Sequence, residues 1–163
     1  MEKEQDVIEF AIYRLPVGGG ELALSPMPGR TRHYHADWQH LLALRPDLVL
    51  SMTTKAELDR KGAGTLGTDL GKEGICWLHL PVPDFGVPRD FDWPPVRDQV
   101  HAVLAQQGRV LVHCFGGCGR SGMMALRLMI AAGEAPDAAL ARLRAVRPCA
   151  VETDEQMRWA WQG

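Results

Sequence analysis

No apolar run in this 163-residue chain is long enough to cross a bilayer. The greasiest stretch, MMALRLMIAA at 123–132, is short and is interrupted by Arg127. The first residues, MEKEQDVIEF, hold no apolar block of the kind a secretory leader needs, so a cytoplasmic location is expected. Charge of one sign is not in excess either. With 18 Lys and Arg against 20 Asp and Glu, the net charge is −2, which offers no bulk attraction for nucleic acid or a membrane surface. Cysteine is scarce, and the four present (Cys76, Cys114, Cys118 and Cys149) form no CxxC pair; reduced thiols are the expectation. No GK[ST] occurs, which excludes a Walker-type nucleotide loop. His33, His35 and His40 cluster, but no cysteine or carboxylate set completes a zinc spacing, so no metal is expected.

What is present reads as one α/β domain spanning residues 1–163. Its core is expected to be a partly parallel sheet of four or five strands flanked by helices. Residues 7–15 and 21–25 read as strands around the turn-forming Val17-Gly18-Gly19-Gly20. Trp38, Leu41 and Leu42 have helical spacing, and Pro46 ends that helix. DLVLS at 47–51, ICWLHL at 75–80 and RVLVH at 109–113 are short apolar runs suited to buried strands. Helices are expected from Thr53 to about Lys61, and over about 92–107, 120–132 and 136–146, with a last one from near Thr153. The segment between them at 62–74, GAGTLGTDLGKEG, reads as a loose glycine-rich connection.

The segment that carries chemistry is HCFGGCGRSG, residues 113–122. It follows a strand and opens a helix, so its amides lie at a helix N-terminus, where unpaired N–H groups and the dipole favour an anion. Glycines let successive amides turn inward as a concave nest. Phe115, Gly116, Gly117, Cys118 and Gly119 would supply those amides, and Arg120 would fork two hydrogen bonds onto the same oxyanion. Such surroundings favour the thiolate of Cys114, a nucleophile in line with a phosphorus held above it. Taken alone, a strand-end cysteine is more often a small buried hydrophobe. A chance match to HC-x2-G-x2-R-[ST]-G, however, is rarer than about one in ten million per starting position.

The loop resembles the HCxxGxxRSG signature of the cysteine-based protein tyrosine phosphatases. The flanking segments LALSPMPG at 22–29, LVLSM at 48–52, PVPDFGVP at 81–88 and AVETDEQ at 150–156 resemble the small dual-specificity branch, nearest to the kinase-associated (cyclin-dependent kinase inhibitor 3-like) phosphatases. The resemblance implies a phosphorylated protein as substrate, no cofactor and no metal, and a monomer is expected. It also implies a general acid on a separate loop. Asp84 in PVPDFGVP fits, and Asp90 and Asp92 are the alternatives. By the same resemblance Ser121 helps the thiolate leave, His113 fixes the loop backbone, and Gln156 either positions water or is a surface glutamine of its helix. Cys118, inside the loop, would be a redox partner for Cys114, with Cys76 as competing partner.

Other classes stay open beside this reading. One is a phosphoprotein-binding module of the same fold without turnover; another is rhodanese-like sulfur transfer. The chain also matches GxGxxG at 62–67 and at 117–122. The first follows no strand, and the second is followed by another helix where a dinucleotide site needs a strand ending in an acid. The loop positions 115–119 hold no lysine, where phosphoinositide phosphatases of the superfamily it resembles carry them, so the resemblance disfavours highly charged inositides. Phosphotyrosine, extended to phosphoserine and phosphothreonine, is the expected target.

Overall fold

The computed structural model describes residues 10–163. Two strands open the described chain, β1 (Tyr13–Val17) and β2 (Gly20–Ser25). They form an antiparallel hairpin, Val17 opposite Gly20. Gly18 and Gly19 turn it with φ of +58° and +91°, the left-handed pair that a two-residue hairpin requires. The first strand thus lies later than the 7–15 expected, whose residues 7–9 fall outside the described part. Pro16 sits within β1, an edge strand, where its missing N–H is tolerated.

The chain then alternates: α1 (Tyr34–Leu44), β3 (Leu48–Ser51), α2 (Lys55–Arg60), α3 (Leu66–Lys72), β4 (Cys76–His79), α4 (Trp93–Ala105), β5 (Arg109–His113) and α5 (Gly119–Ala131). Two further helices, α6 (Pro136–Val146) and α7 (Asp154–Trp161), complete it. The sheet order is β1-β2-β5-β3-β4, with every pair except β1–β2 parallel. Parallel strands are covered on both faces, and the side-chain alternation shows it. Leu48, Leu50, Val110 and Val112 face one core with α4 to α7, while Val49 and Leu111 face the other with α1 and α3. Among the described residues no helix is long and apolar enough to cross a membrane.

One element departs from the reading of the sequence. The glycine-rich 62–74 segment contains α3, which puts Leu66 and Leu70 one turn apart, both fully buried. Burying two leucines is worth about 3–6 kcal/mol in all, against about 2 kcal/mol lost by two glycines in a helix. Propensity gave way to burial. By contrast α2 forms where its N-terminal signal stands: Thr54 accepts from the Glu57 amide and the Glu57 side chain accepts from the Thr54 amide.

Candidate active site

Three neighbouring strands end at the same edge of the sheet. β5 runs into the 114–118 loop, β3 into Met52–Thr54 and α2, and β4 into the proline-bounded segment that carries Asp84. Crevices at the carboxyl ends of parallel strands are where open α/β sheets gather ligands. Here that edge collects Cys114, Arg120, Glu57 and Asp84.

The carbonyls of the 114–118 loop are all held from outside. Cys114 O accepts from the His113 ring, Phe115 O from Met27 N, and Cys118 O from Val151 N and Gly122 N. Arg147 takes the two between them, its Nη2 donating to Gly116 O at 2.9 Å and its Nε to Gly117 O at 3.0 Å. Arg147 is itself seated over the Tyr13 ring at 4.4 Å and donates to its hydroxyl. No backbone amide of residues 115–118 donates to a protein acceptor among the described residues. With the carbonyls pulled outward, the N–H groups are left for an anion, at the N-terminus of α5. Gly117 is the position that demands glycine: its φ is +75°, and a Cβ there would lie 2.8 Å from the backbone of Ser25 and Pro26.

Cys114 is buried, with its Sγ 3.2 Å from the Ser121 Oγ. His113 is fully buried behind it. Trp77 Nε1 donates to the Ser51 hydroxyl, Ser51 is bonded to His113 Nε2, and His113 Nδ1 faces the Cys114 carbonyl. With the proton of a neutral His113 on Nδ1, facing the carbonyl, the Nε2 lone pair is free to accept from the Ser51 hydroxyl. Burial pushes its pKa down to about 4, the nearby Arg120 charge acting in the same direction.

Arg120 is 1% exposed, so its geometry decides what it can bind. Its Nη1 and Nη2 donate to the two oxygens of Glu57 at 2.6 and 2.8 Å, and Nη1 also reaches the Val82 carbonyl at 2.8 Å. Nη2 stands 3.4 Å from the Asp84 carboxylate. The Nε–H is buried without any partner. The fork expected to clasp an oxyanion therefore grips Glu57 instead, leaving Nε as the orphaned donor. Burial alone would lower the pKa of Arg120, but the Glu57 hydrogen bonds and the charges of Cys114, Glu57 and Asp84 outweigh it and raise it. Glu57 moves the other way: burial raises it, yet the Arg120 hydrogen bond and the Thr54 cap hold it below the usual carboxylate range.

The three candidate acids separate clearly. Asp84 is exposed and lies beside Arg120, its carboxylate also accepting from Phe85 N at 3.0 Å. Asp92 is the N-cap position of α4, and Asp90 lines a different cavity with Phe91 and Pro88. Gln156 is fully buried rather than on the surface. Its Oε1 accepts from Glu152 N and Thr153 N, capping α7, and its Nε2 donates to Gly86 O at 3.2 Å. The glutamine therefore ties the Asp84 loop to α7.

The cysteines overturn the redox expectations. Cys118 is bonded to Cys149, 31 residues away, with their Cα atoms 5.2 Å apart. Cys114 is free, and so is Cys76. The Cys114–Cys118 pair fails because Cys114 turns down toward Ser121, while Cys118 meets the segment that returns after α6. Cys76 fails by position. It starts β4 in register with Leu48, itself opposite Val110, four residues before Cys114; that is about 13 Å along the strand direction and two strands across. The expectation of four reduced thiols gives way to one disulfide joining the loop to residues 147–151. Sequence reasoning also missed Glu57 and Arg147. The T-x-x-E capping pattern at 54–57 marked Glu57 as a helix residue, but nothing local marked Arg147.

Comparison with known proteins places this arrangement. The family described as "Polymorphic toxin system, DSP-PTPase phosphatase" matches residues 27–134. Cyclin-dependent kinase inhibitor 3 of Sus scrofa is 27% identical over 146 residues, covering 85% of this chain and 69% of that protein. The crystal structure of kinase associated phosphatase, with its catalytic-site cysteine replaced by serine, superposes with a TM-score of 0.82 over 93% of this chain and 92% of that one. At 23% identity that likeness is one of fold. Tk-PTP in its active form is 30% identical, with a TM-score of 0.70, over 90% of this chain and 93% of that one.

Proposed function

This chain belongs to the DSP-type PTPase phosphatases of polymorphic toxin systems, and on that premise we propose that it hydrolyses phosphoproteins through a cysteinyl-phosphate on Cys114. The observation that carries the reading is the loop's polarity: carbonyls of 114–118 bonded outward, amides of 115–118 unpaired, and the Arg120 Nε buried without a partner beside them. These are the donors a phosphoryl group with three oxygens requires.

In the first step the Cys114 sulfur attacks phosphorus, the S–P bond forms and the P–O bond to the substrate breaks. The leaving oxygen takes its proton from the carboxyl of Asp84. In the second step a water oxygen attacks phosphorus, the S–P bond breaks, and the water proton passes to the Asp84 carboxylate. Ser121, 3.2 Å from Sγ, donates to the departing thiolate. The loop amides and Arg120 stabilise the equatorial oxygens in both steps, with Glu57 holding the guanidinium in place. His113 is a neutral prop for the Cys114 carbonyl and takes no proton. The substrates are proteins carrying phosphotyrosine, with phosphoserine and phosphothreonine admitted by the same cradle.

The test is hydrolysis of para-nitrophenyl phosphate with and without EDTA, for wild type, Cys114→Ser and Asp84→Asn. Metal-independent turnover lost in Cys114→Ser by about 10⁴-fold or more, with phosphocysteine trapped on wild type, is expected. Phosphate binding without turnover would establish a binding module instead, and thiosulfate–cyanide transfer would establish sulfur chemistry.

A further inference from the structure

A cavity of about 710 Å³ opens beside the Cys114 loop, lined by Phe115, Asp84 and Glu57 together with Arg32, Arg60 and Lys61. The three cations come from segments far apart in sequence, the loop before α1 and the end of α2. None of them is in an ion pair among the described residues. Lys55, on the same helix as Arg60, behaves differently and pairs with Asp59 at 2.9 Å. The two carboxylates of the cavity both face Arg120, so after that single charge is met they leave one negative charge against the three cations. A fourth cation, Arg30, stands over the Phe115 ring at 5.2 Å. Arg32 is held with φ at +67°, a conformation that costs a non-glycine residue and here brings a guanidinium to the cavity wall. In a chain of net charge −2, this is a local concentration of positive charge next to the anion cradle.

A single phosphoryl group is provided for by the loop amides, the helix N-terminus and Arg120. The outer cations are surplus to it. We propose that this cavity is a second anion subsite, resting on the phosphatase reading of Cys114, and that it selects phosphopeptides bearing another phosphorylated or acidic residue near the one being dephosphorylated. Guanidinium groups fork equally well onto phosphate and carboxylate, so both sources share the subsite, the doubly charged phosphoryl binding more tightly. Arg32 and Arg60 are exposed, which makes the preference sensitive to salt.

The experiment compares one tyrosine phosphopeptide in three forms: neutral flanks, glutamate flanks, and a flanking phosphoserine. Wild type is expected to favour the phosphoserine form over the neutral one by about tenfold or more in kcat/KM, the effect of one charge-assisted hydrogen bond, with glutamate between them. The preference should shrink as salt rises. In the combined variant Arg32→Ala, Arg60→Ala, Lys61→Ala it should collapse to about twofold or less, with a smaller change on para-nitrophenyl phosphate. The same peptides are titrated onto Cys114→Ser by fluorescence anisotropy, so the subsite is scored even if turnover is absent. Absence of turnover would count against the phosphatase reading, and affinities ordered by flanking charge would still support the subsite. Equal handling of all three peptides by wild type would overturn the proposal. So would a preference that survives the triple variant, an equal loss on para-nitrophenyl phosphate, or stronger turnover of short-chain phosphoinositides than of every peptide.

Discussion

Two glycine-rich stretches of this chain match the same GxGxxG pattern, and the fold treats them in opposite ways. At 113–122 five successive carbonyls are bonded, four of them from outside the stretch, and a Cβ at Gly117 would lie 2.8 Å from the backbone at β2's end. At 62–74 the glycines Gly62, Gly71 and Gly74 have nothing within 4 Å of where a Cβ would sit, while a Cβ at Gly67 would run into the Trp77 ring, and the segment winds into α3. The first stretch uses glycine for a shape that side chains would forbid. The second needs glycine at Gly67, under the Trp77 ring, and otherwise tolerates it within α3 because Leu66 and Leu70 anchor the helix. Glycine content alone does not separate a cradle from a connection; the neighbours do.

The comparison breaks most sharply at Glu57. Replacing it by glutamine leaves Arg120 buried opposite an uncharged partner, a change that costs about 3–5 kcal/mol where a buried pair is broken. Urea denaturation should report that loss, and para-nitrophenyl phosphate kinetics should show kcat/KM falling at least about tenfold, since the guanidinium is no longer aimed. An unchanged kcat/KM would mean that the Glu57 pair is not what aims Arg120.

A smaller effect sets the loop apart by pH. His113 titrates near 6.5 when unfolded but at about 4 when folded. Burial favours its neutral form, so between these values the unfolded chain binds the extra proton. Stability therefore falls as pH drops from about 6.5 to 4, by about 3 kcal/mol for this group, and gains nothing further from it above 6.5. Denaturation midpoints measured across that window should slope for wild type and flatten for His113→Asn. Equal slopes would place the acid sensitivity elsewhere.

The smallest expected effect belongs to the second stretch. Gly71→Ala puts a methyl into open space on α3 and should raise stability by about 0.5–1 kcal/mol, leaving phosphatase kinetics untouched. Thermal melting is sufficient to see it. A destabilised protein would show that the glycine there serves packing.

The readable parts of the site were the local ones. Cys114, its loop and Arg120 fall within one strand–loop–helix unit, and the residue types in that spacing already specify an anion cradle. Buried strands were legible as apolar runs, and α7 as a capping pattern at Thr153, while α2 was placed within a residue or two of its bounds without its Thr54 cap. α3 was not, because its glycines argue against a helix and the burial that outweighs them involves Trp77 and the far face of the sheet. Gln156 read by default as a surface residue, since a capping glutamine says nothing of what lies above it. The Cys118–Cys149 bond was hidden for a different reason: nothing in a spacing of 31 residues reveals that α6 sends its exit back across the loop.

The α/β alternation and the glycine-rich loop at 113–122 were readable because both rest on contacts between residues close along the chain, whereas Asp84 was singled out only through the resemblance of PVPDFGVP. Long-range packing alone brings Glu57 to Arg120, straps the loop with Arg147 and Cys149, and gathers Arg32, Arg60 and Lys61 around one cavity. Those pairings depend on which strand ends lie side by side, and strand order is set by packing of the whole core rather than by any segment of it.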